Sequence, residues 1–302
     1  MIVATGTVPP IAEELLGVIV VAGPGELESL LPEAEVLIVR GGVFVTAETI
    51  AAAPRLRVIG RSGVGFSEVD VEAATRRGIP VVLAATAGAQ AVAEGALALL
   101  LALAKRLPEL DRMVKEGRWA ERDSADVRGL QGATLGILGY GRIGRRLAAL
   151  VEPFELRVRF HDPHVEGGVE LETLFAESDL VSIHAPLTPE TRGIVDARLL
   201  ERARPGLLLV NLARGALARS PDDLLAALES GRLGGVGLDV FEPEPPDTSH
   251  PLFAHPRVLC TPHALWRTPS AVEGIFREMS EGVLAALRGE RPATVANPEL
   301  YA

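Results

Sequence analysis

The sequence predicts an α/β protein of two parallel-sheet domains, Rossmann-like or flavodoxin-like, one inserted into the other. Three observations carry this. Short apolar runs alternate with helix-like segments from Met1 to about Gly95, and again from Ala133 to Cys260, the order that gives parallel strands with crossover helices. A GxGxxG turn, Gly139 to Gly144, lies near the middle of the chain, so a whole α/β unit precedes it. A final helix opens at Thr268–Pro269 and runs to about Leu287, where it is left to pack back on the first unit. The first domain is therefore expected to be discontinuous, residues 1–95 plus 268–302, with 96–267 inserted.

Each element follows from its residues. In the first domain, Met1–Ala4, Val18–Val21, Val36–Val39, Val58–Gly60 and Pro80–Leu83 read as short buried strands. Asp70 ahead of Val71, with Gly78 behind, marks a helix opened by an acid cap and closed by glycine. Gln90 to Leu107 reads as one long helix, apolar on most faces, which needs cover beyond one sheet and suits a domain connection or a dimer contact. Arg118 to Gln131 reads as irregular surface chain. Strands are then expected at Ala133–Leu138, Leu156–Phe160, Leu180–Ile183, Leu207–Asn211, Val236–Val240 and Val258–Cys260, with a helix from Pro221 to Glu229 behind its Ser220 cap.

Composition excludes several classes. The 302 residues are 48% hydrophobic with mean hydropathy +0.25, enough for two cores. A net charge of −10 and a pI near 5.2 argue against nucleic acid as a partner. The single cysteine, Cys260, makes no internal disulfide and no cysteine metal cluster, and reads as a small core residue. No metal is expected. Met1 to Pro10 lacks a signal pattern, and the most apolar stretch, Ala96 to Ala104, is too short to cross a bilayer. No membrane partner is expected, and the sequence reads as cytoplasmic.

The central glycine turn carries the first chemistry. A strand feeding Gly139, Gly141 and Gly144, with Arg142 and Ile143 opening a helix, points backbone N–H groups and a positive helix end at a pyrophosphate. Tight turns need glycine too, so a second residue is required. Asp162 ends the next apolar run, 23 positions after Gly139, near the roughly 20 expected of an acid that accepts ribose hydroxyls. Its charge favours NAD over NADP, a preference that Arg157 and Arg159 moderate.

Three further groups stand at strand ends: Asn211–Gly215, Asp239–Pro245 and Thr261–His263. Strand C-terminal ends carry the ligands in doubly wound sheets, so an arginine, an acid and a histidine are expected to converge there. Singly, Arg214 also suits a structural ion pair, either Glu242 or Glu244 a solvated loop acid, and His263 a buried structural histidine.

Together these groups, with Arg61–Asp70, the glycine turn, SIHAPLTPET from Ser182, NLARG, LDVFEPEP and TPH, resemble the D-isomer-specific 2-hydroxyacid dehydrogenases over most of the chain. The resemblance implies a catalytic Arg, Glu, His set on Arg214, Glu244 and His263, the EP context selecting Glu244 over Glu242. The chemistry agrees with it. Arginine's planar fork suits a carboxylate and a carbonyl oxygen, histidine's ordinary pKa near 6.5 suits proton donation and return, and a carboxylate behind the ring orients it.

Further roles also come from the resemblance. Asp239 would meet the nicotinamide carboxamide, Pro186, Leu212 and Ala213 would line NAD, and backbone N–H groups at Ser62, Gly63 and Val64 would hold the substrate carboxylate. His184 is given a cofactor-side structural role. The sequence departs from the family at Phe66, Ser67 and Glu68, which replace an apolar, Asp, Asn run, and at Gly95, where His is common. Trp266 suits either a roof over a small or apolar substrate tail or a packing role.

The implied function is NAD-dependent interconversion of a D-2-hydroxy acid and its 2-keto acid by a homodimer, with glycerate/hydroxypyruvate, glyoxylate and 3-phosphoglycerate as candidates. The substrate is expected to be enclosed by the two domains. The alternative is an NAD(H)-sensing, corepressor-like interaction protein of the same fold. The 39 residues between His263 and the end of the sequence leave no room for an appended regulatory domain.

Overall fold

The protein is described by a computed structural model covering residues 1–66 and 68–302. Its chain divides into two units, Met1–Ala89 with Arg267–Ala302, and Gln90–Trp266. The sequence departure at Ser67 lies outside the described residues.

The first unit is a five-stranded sheet of β1 (Ile2–Ala4), β2 (Ile19–Val21), β3 (Val36–Val39), β4 (Val58–Arg61) and β5 (Val81–Leu83), every pairing parallel. The strand order β2-β1-β3-β4-β5 is flavodoxin-like. Every residue of β3 and β4 is buried, which is why these strands read as unbroken apolar runs instead of alternating ones.

Local capping sets the helices. The Asp70 carboxylate accepts the Ala73 N–H at 2.8 Å and opens the helix Val71–Arg76, and Thr268 opens Pro269–Leu287 by accepting the Ala271 N–H at 3.2 Å. That last helix lies so close to β4 that a Cβ on Gly60 would stand 2.6 Å from the Met279 sulfur. Beyond it, Asn297, fully buried, stitches the C-terminal segment to the sheet: its amide nitrogen donates to the Ile79 carbonyl (2.9 Å) and the Thr75 hydroxyl (3.0 Å), and its oxygen accepts the Val81 N–H (2.9 Å).

The second unit is a six-stranded, wholly parallel sheet of β6 (Thr134–Leu138), β7 (Arg157–His161), β8 (Leu180–Ile183), β9 (Leu207–Asn211), β10 (Leu233–Leu238) and β11 (Val258–Cys260). Its order is β11-β10-β9-β8-β6-β7, so the winding reverses between β6 and β8. The helix Ala89–Ala104 packs Ala93, Ala96, Leu99, Leu100, Leu103 and Ala104 into the core of this unit.

Three expectations are corrected. The long helix ends at Ala104 because Arg106 turns left-handed (φ 52), and a second helix, Leu107–Lys115, follows with Pro108 in its first turn. A proline that stops one helix is equally suited to start the next. β10 spans Leu233–Leu238, earlier than Val236–Val240. Gly235 and Gly237 lie under Leu103 and Leu99 of the overlying helix, which a side chain would push away. Cys260 is exposed at the end of β11, which among the described residues pairs only with β10, and is no core residue. Among the described residues, no helix is long and apolar enough to cross a membrane.

Replacing Asn297 with Ala leaves the Val81 N–H and the Ile79 carbonyl without partners inside the protein. It is expected to destabilise the first unit by about 2–4 kcal/mol, read as faster hydrogen exchange of β4 and β5 amides and a lower urea midpoint.

Candidate active site

Asp239 follows β10 and is only 3% exposed. A charge that deep must be matched by hydrogen bonds. Its carboxylate accepts the Thr261 hydroxyl (2.7 Å), the Ala264 N–H (3.0 Å) and, more loosely, the Leu265 N–H (3.4 Å). These bonds bracket His263, whose own N–H donates to the Thr261 carbonyl (3.0 Å) and whose backbone is left-handed at φ 51. A non-glycine residue gives up roughly 1–2 kcal/mol there, and Asp239 holds the turn on both sides of it. The Trp266 indole N–H closes the turn on the His263 carbonyl at 3.1 Å.

The His263 ring meets Glu244: Nδ1 lies 2.8 Å from Oε2. A carboxylate oxygen accepts, so Nδ1 carries the hydrogen and Nε2 is left for exchange. Glu244 is itself fixed, because its other oxygen accepts the Phe241 N–H at 3.0 Å. Both side chains keep about two fifths of their surface exposed, 40% and 39%, so the pair is held yet reachable.

Arg214 sits on a turn that follows β9. The buried Asn211 shapes it, its amide donating to the Arg214 carbonyl (2.9 Å) and its oxygen accepting the Ala213 N–H (3.0 Å). The Asp239 N–H donates to the Asn211 carbonyl (3.0 Å). The arginine turn and the acid turn therefore leave neighbouring strands in fixed register. Sequence reasoning misses Asn211 and Thr261 as organisers, although each is a polar residue at the end of an apolar run, which is the available signal.

The glycine turn joins β6 to the helix Arg142–Val151. Gly139 adopts φ 93, and a Cβ there would come 2.5 Å from the Ala185 nitrogen. Gly144 packs on Ile137, whose Cγ2 a Cβ would meet at 2.9 Å. Gly141 faces open space and caps the helix with no side-chain bond, so the first-turn N–H groups, those of Arg142 and Ile143 included, are presented to an anion. The Asp162 carboxylate is tied to this turn, accepting the Tyr140 N–H (2.8 Å) and the His164 N–H (2.9 Å), and each oxygen retains a lone pair for a hydroxyl.

This arrangement straddles the reversal between β6 and β8, where open α/β sheets take their ligands. An open helix end, a turn without side chains and a placed carboxylate fit a dinucleotide. Pro186 lies exposed beyond β8, and Leu212 and Ala213 follow β9.

His184 follows β8, its Nε2 2.8 Å from the Ser182 hydroxyl and its Nδ1 enclosed with no hydrogen-bond partner among the described residues. Burial pushes its imidazole down to about 4, so the ring is neutral near pH 7. That suits the structural role expected of it.

In the first unit, Ser62, Gly63 and Val64 follow β4. The N–H groups of Ser62 and Gly63 donate within the unit, to the Val39 (3.3 Å) and Arg61 (2.9 Å) carbonyls. Glu68, one of the departures, pairs with Arg61 at 3.4 Å. Among the described residues, no group of three or more His, Cys, Asp or Glu side chains is placed to hold a metal ion.

Comparison with known proteins gives a consistent picture. Residues 97–264 match the family profile described as D-isomer specific 2-hydroxyacid dehydrogenase, NAD binding domain. The D-3-phosphoglycerate dehydrogenase of Mycobacterium leprae is 41% identical over 281 residues, 89% of this chain and 53% of that protein. The chain thus spans about half the length of the curated relatives it matches. Among solved structures, the TT0316 protein of Thermus thermophilus superposes with a TM-score of 0.89 at 36% identity, covering 98% of this chain and 99% of that one. A D-lactate dehydrogenase of Aquifex aeolicus, solved with NAD and lactic acid, superposes at 0.83 with 29% identity, covering 95% and 96%.

His184 sets a pH dependence. The ring takes a proton near 6.5 when unfolded but only near 4 when folded, so between those values the unfolded chain binds more protons and stability falls as pH drops. On the order of 2–3 kcal/mol is expected to be lost between pH 7 and pH 4 through this residue. Urea titrations of His184→Gln should show a stability slope flatter by about one proton in that window; an unchanged slope refutes the assignment.

Proposed function

The chain belongs to the D-isomer specific 2-hydroxyacid dehydrogenase family, and we propose that it interconverts a D-2-hydroxy acid and its 2-keto acid with NAD. The observation that carries this reading is the 2.8 Å bond between His263 Nδ1 and Glu244. It keeps the hydrogen on Nδ1 and leaves Nε2 free to take up the proton that the imidazolium then donates.

NADH, when bound, supplies the hydride that reduces the carbonyl carbon. Its pyrophosphate is assigned to the N–H groups of the Gly139–Gly144 turn, with Arg142 and Ile143, and its ribose to Asp162. Pro186, Leu212, Ala213 and Asp239 complete the proposed cofactor contacts, Asp239 through what remains of its hydrogen-bonding capacity after it has built the histidine turn. The carboxylate of Asp162 supports NAD over NADP.

His263 gives the proton from Nε2 to the carbonyl oxygen as charge develops there, and takes it back in the oxidation direction. Glu244 stabilises the imidazolium and keeps the ring oriented. Arg214 binds the carboxylate and polarises the carbonyl through its paired N–H donors. Further substrate contacts are assigned to Trp266 and, in the first unit, to Ser62, Gly63 and Val64. Because the Ser62 and Gly63 N–H groups are engaged within that unit, anion capture there falls chiefly to the exposed Val64 end of the turn.

Candidate substrates are hydroxypyruvate, glyoxylate and phosphohydroxypyruvate. The 41% identity to a D-3-phosphoglycerate dehydrogenase supports the last of these. We assign the protein to the cytoplasm, in keeping with its single cysteine. We assign it a homodimeric state, supported by exposed Leu107, Val114 and Trp119 on the second unit.

A panel of these keto acids with pyruvate and a branched keto acid, assayed against NADH and NADPH, tests the reading. NADH oxidation is expected with at least one, and NADH binding without any turnover defeats it. His263→Ala should lower kcat by on the order of 10²–10⁴ while leaving NADH affinity within about threefold. A corepressor-like binder would instead keep its function in that variant. Sedimentation velocity should give twice the 31.9 kDa chain mass, and Trp119→Asp should shift it toward the monomer.

A further inference from the structure

Gly95 lies buried in the helix Ala89–Ala104, seven positions into it, and has itself been given no part in the chemistry. Helix interiors disfavour glycine relative to alanine, so its presence there needs a local reason. The surroundings supply one. A Cβ at Gly95 would stand 2.7 Å from the Leu265 Cβ, 3.2 Å from the Leu265 Cδ1 and 3.2 Å from the Leu212 Cδ2.

Those two leucines are not arbitrary neighbours. Leu265 is two residues after His263, on the turn whose N–H groups Asp239 holds, and Leu212 is two residues before Arg214, on the turn that Asn211 shapes. The closest meeting is with Leu265 at its Cβ, the part of the side chain that cannot swing aside without moving the backbone. A side chain at 95 therefore displaces the histidine turn first and presses on the arginine turn as well. The left-handed conformation of His263 makes its turn the weaker of the two, since a small backbone shift there releases strain.

We propose that Gly95 is a positioning residue for the reaction: its bare backbone is the common seat on which the His263 and Arg214 turns are set in register. The proposal rests on the dehydrogenase reading for its kinetic consequences and on geometry alone for its structural ones. It also accounts for the pairing of glycine at 95 with leucine at 265, because the volume withheld at one position is taken up by the other.

The test is a double-mutant cycle on the full chain. Gly95→Ala is expected to lower kcat at least about tenfold with NADH affinity within about twofold. In its crystal structure Leu265 should be displaced and the His263 Nδ1 to Glu244 separation should exceed 2.8 Å. Leu265→Ala, which loosens the seat, should lower kcat at least about threefold; in Leu265→Gly, which also removes the Cβ that a side chain at 95 would meet, adding Gly95→Ala should cost no further activity. Gly95→Ala that leaves both kcat and the turn unchanged overturns the proposal, as does a loss of the same size in both backgrounds. Should Gly95→Ala not fold, unchanged kcat in Leu265→Ala overturns it. If the wild-type chain reduces no keto acid, the dehydrogenase reading fails instead, and the position of Leu265 in the Gly95→Ala crystal structure still decides this one.

Discussion

A buried carboxylate holds the site together. Asp239 cannot stand almost fully enclosed without donors, and the donors available to it are the Thr261 hydroxyl and the N–H groups of Ala264 and Leu265. Satisfying the acid therefore folds the chain after β11 back over the end of β10. That fold forces His263 into a conformation it would not adopt alone, and brings its ring against Glu244. Charge burial is turned into side-chain placement, with the cost of one strained residue offset by three hydrogen bonds to a single charged group.

The second constraint is backbone proximity at the sheet's reversal. Gly139 is pressed against the peptide linking His184 to Ala185, and its left-handed φ is one a side chain would oppose. The turn can then lie flat across the gap between β6 and β8, with the helix Arg142–Val151 starting there uncapped. Asp162 ties down the turn from the neighbouring strand through the Tyr140 N–H. A dinucleotide cradle thus arises from the same parts that close the sheet, and the acid that would select the ribose is also the clamp on the loop.

Much of this was legible in the residues. Parallel strands buried on both faces reduce to short apolar runs, so β3, β8 and β9 were readable to the residue, and Asp70, Ser220 and Thr268 announced their helices because capping is a local hydrogen bond. Where a residue's meaning depends on what lies above it, reading failed. β10 begins at Leu233, ahead of the apolar run at Val236, because its glycines pack under a helix that local pattern does not show, and Cys260 looks like a core residue until β11 proves, among the described residues, to pair on one side only. Arg106 and Pro108 read as the tail of one helix and serve as the join between two.

The candidate site divides the same way. Sequence order alone determined two parallel α/β sheets, a glycine turn fed by a strand, an acid at the next strand's end, and an arginine, acids and a histidine at strand ends, because each is written in local pattern and spacing. How Asp239 spends its hydrogen bonds and why position 95 carries no side chain were decided only by tertiary structure. Those outcomes depend on distances between segments far apart in the chain, which buried charge and close packing fix and which no local pattern records.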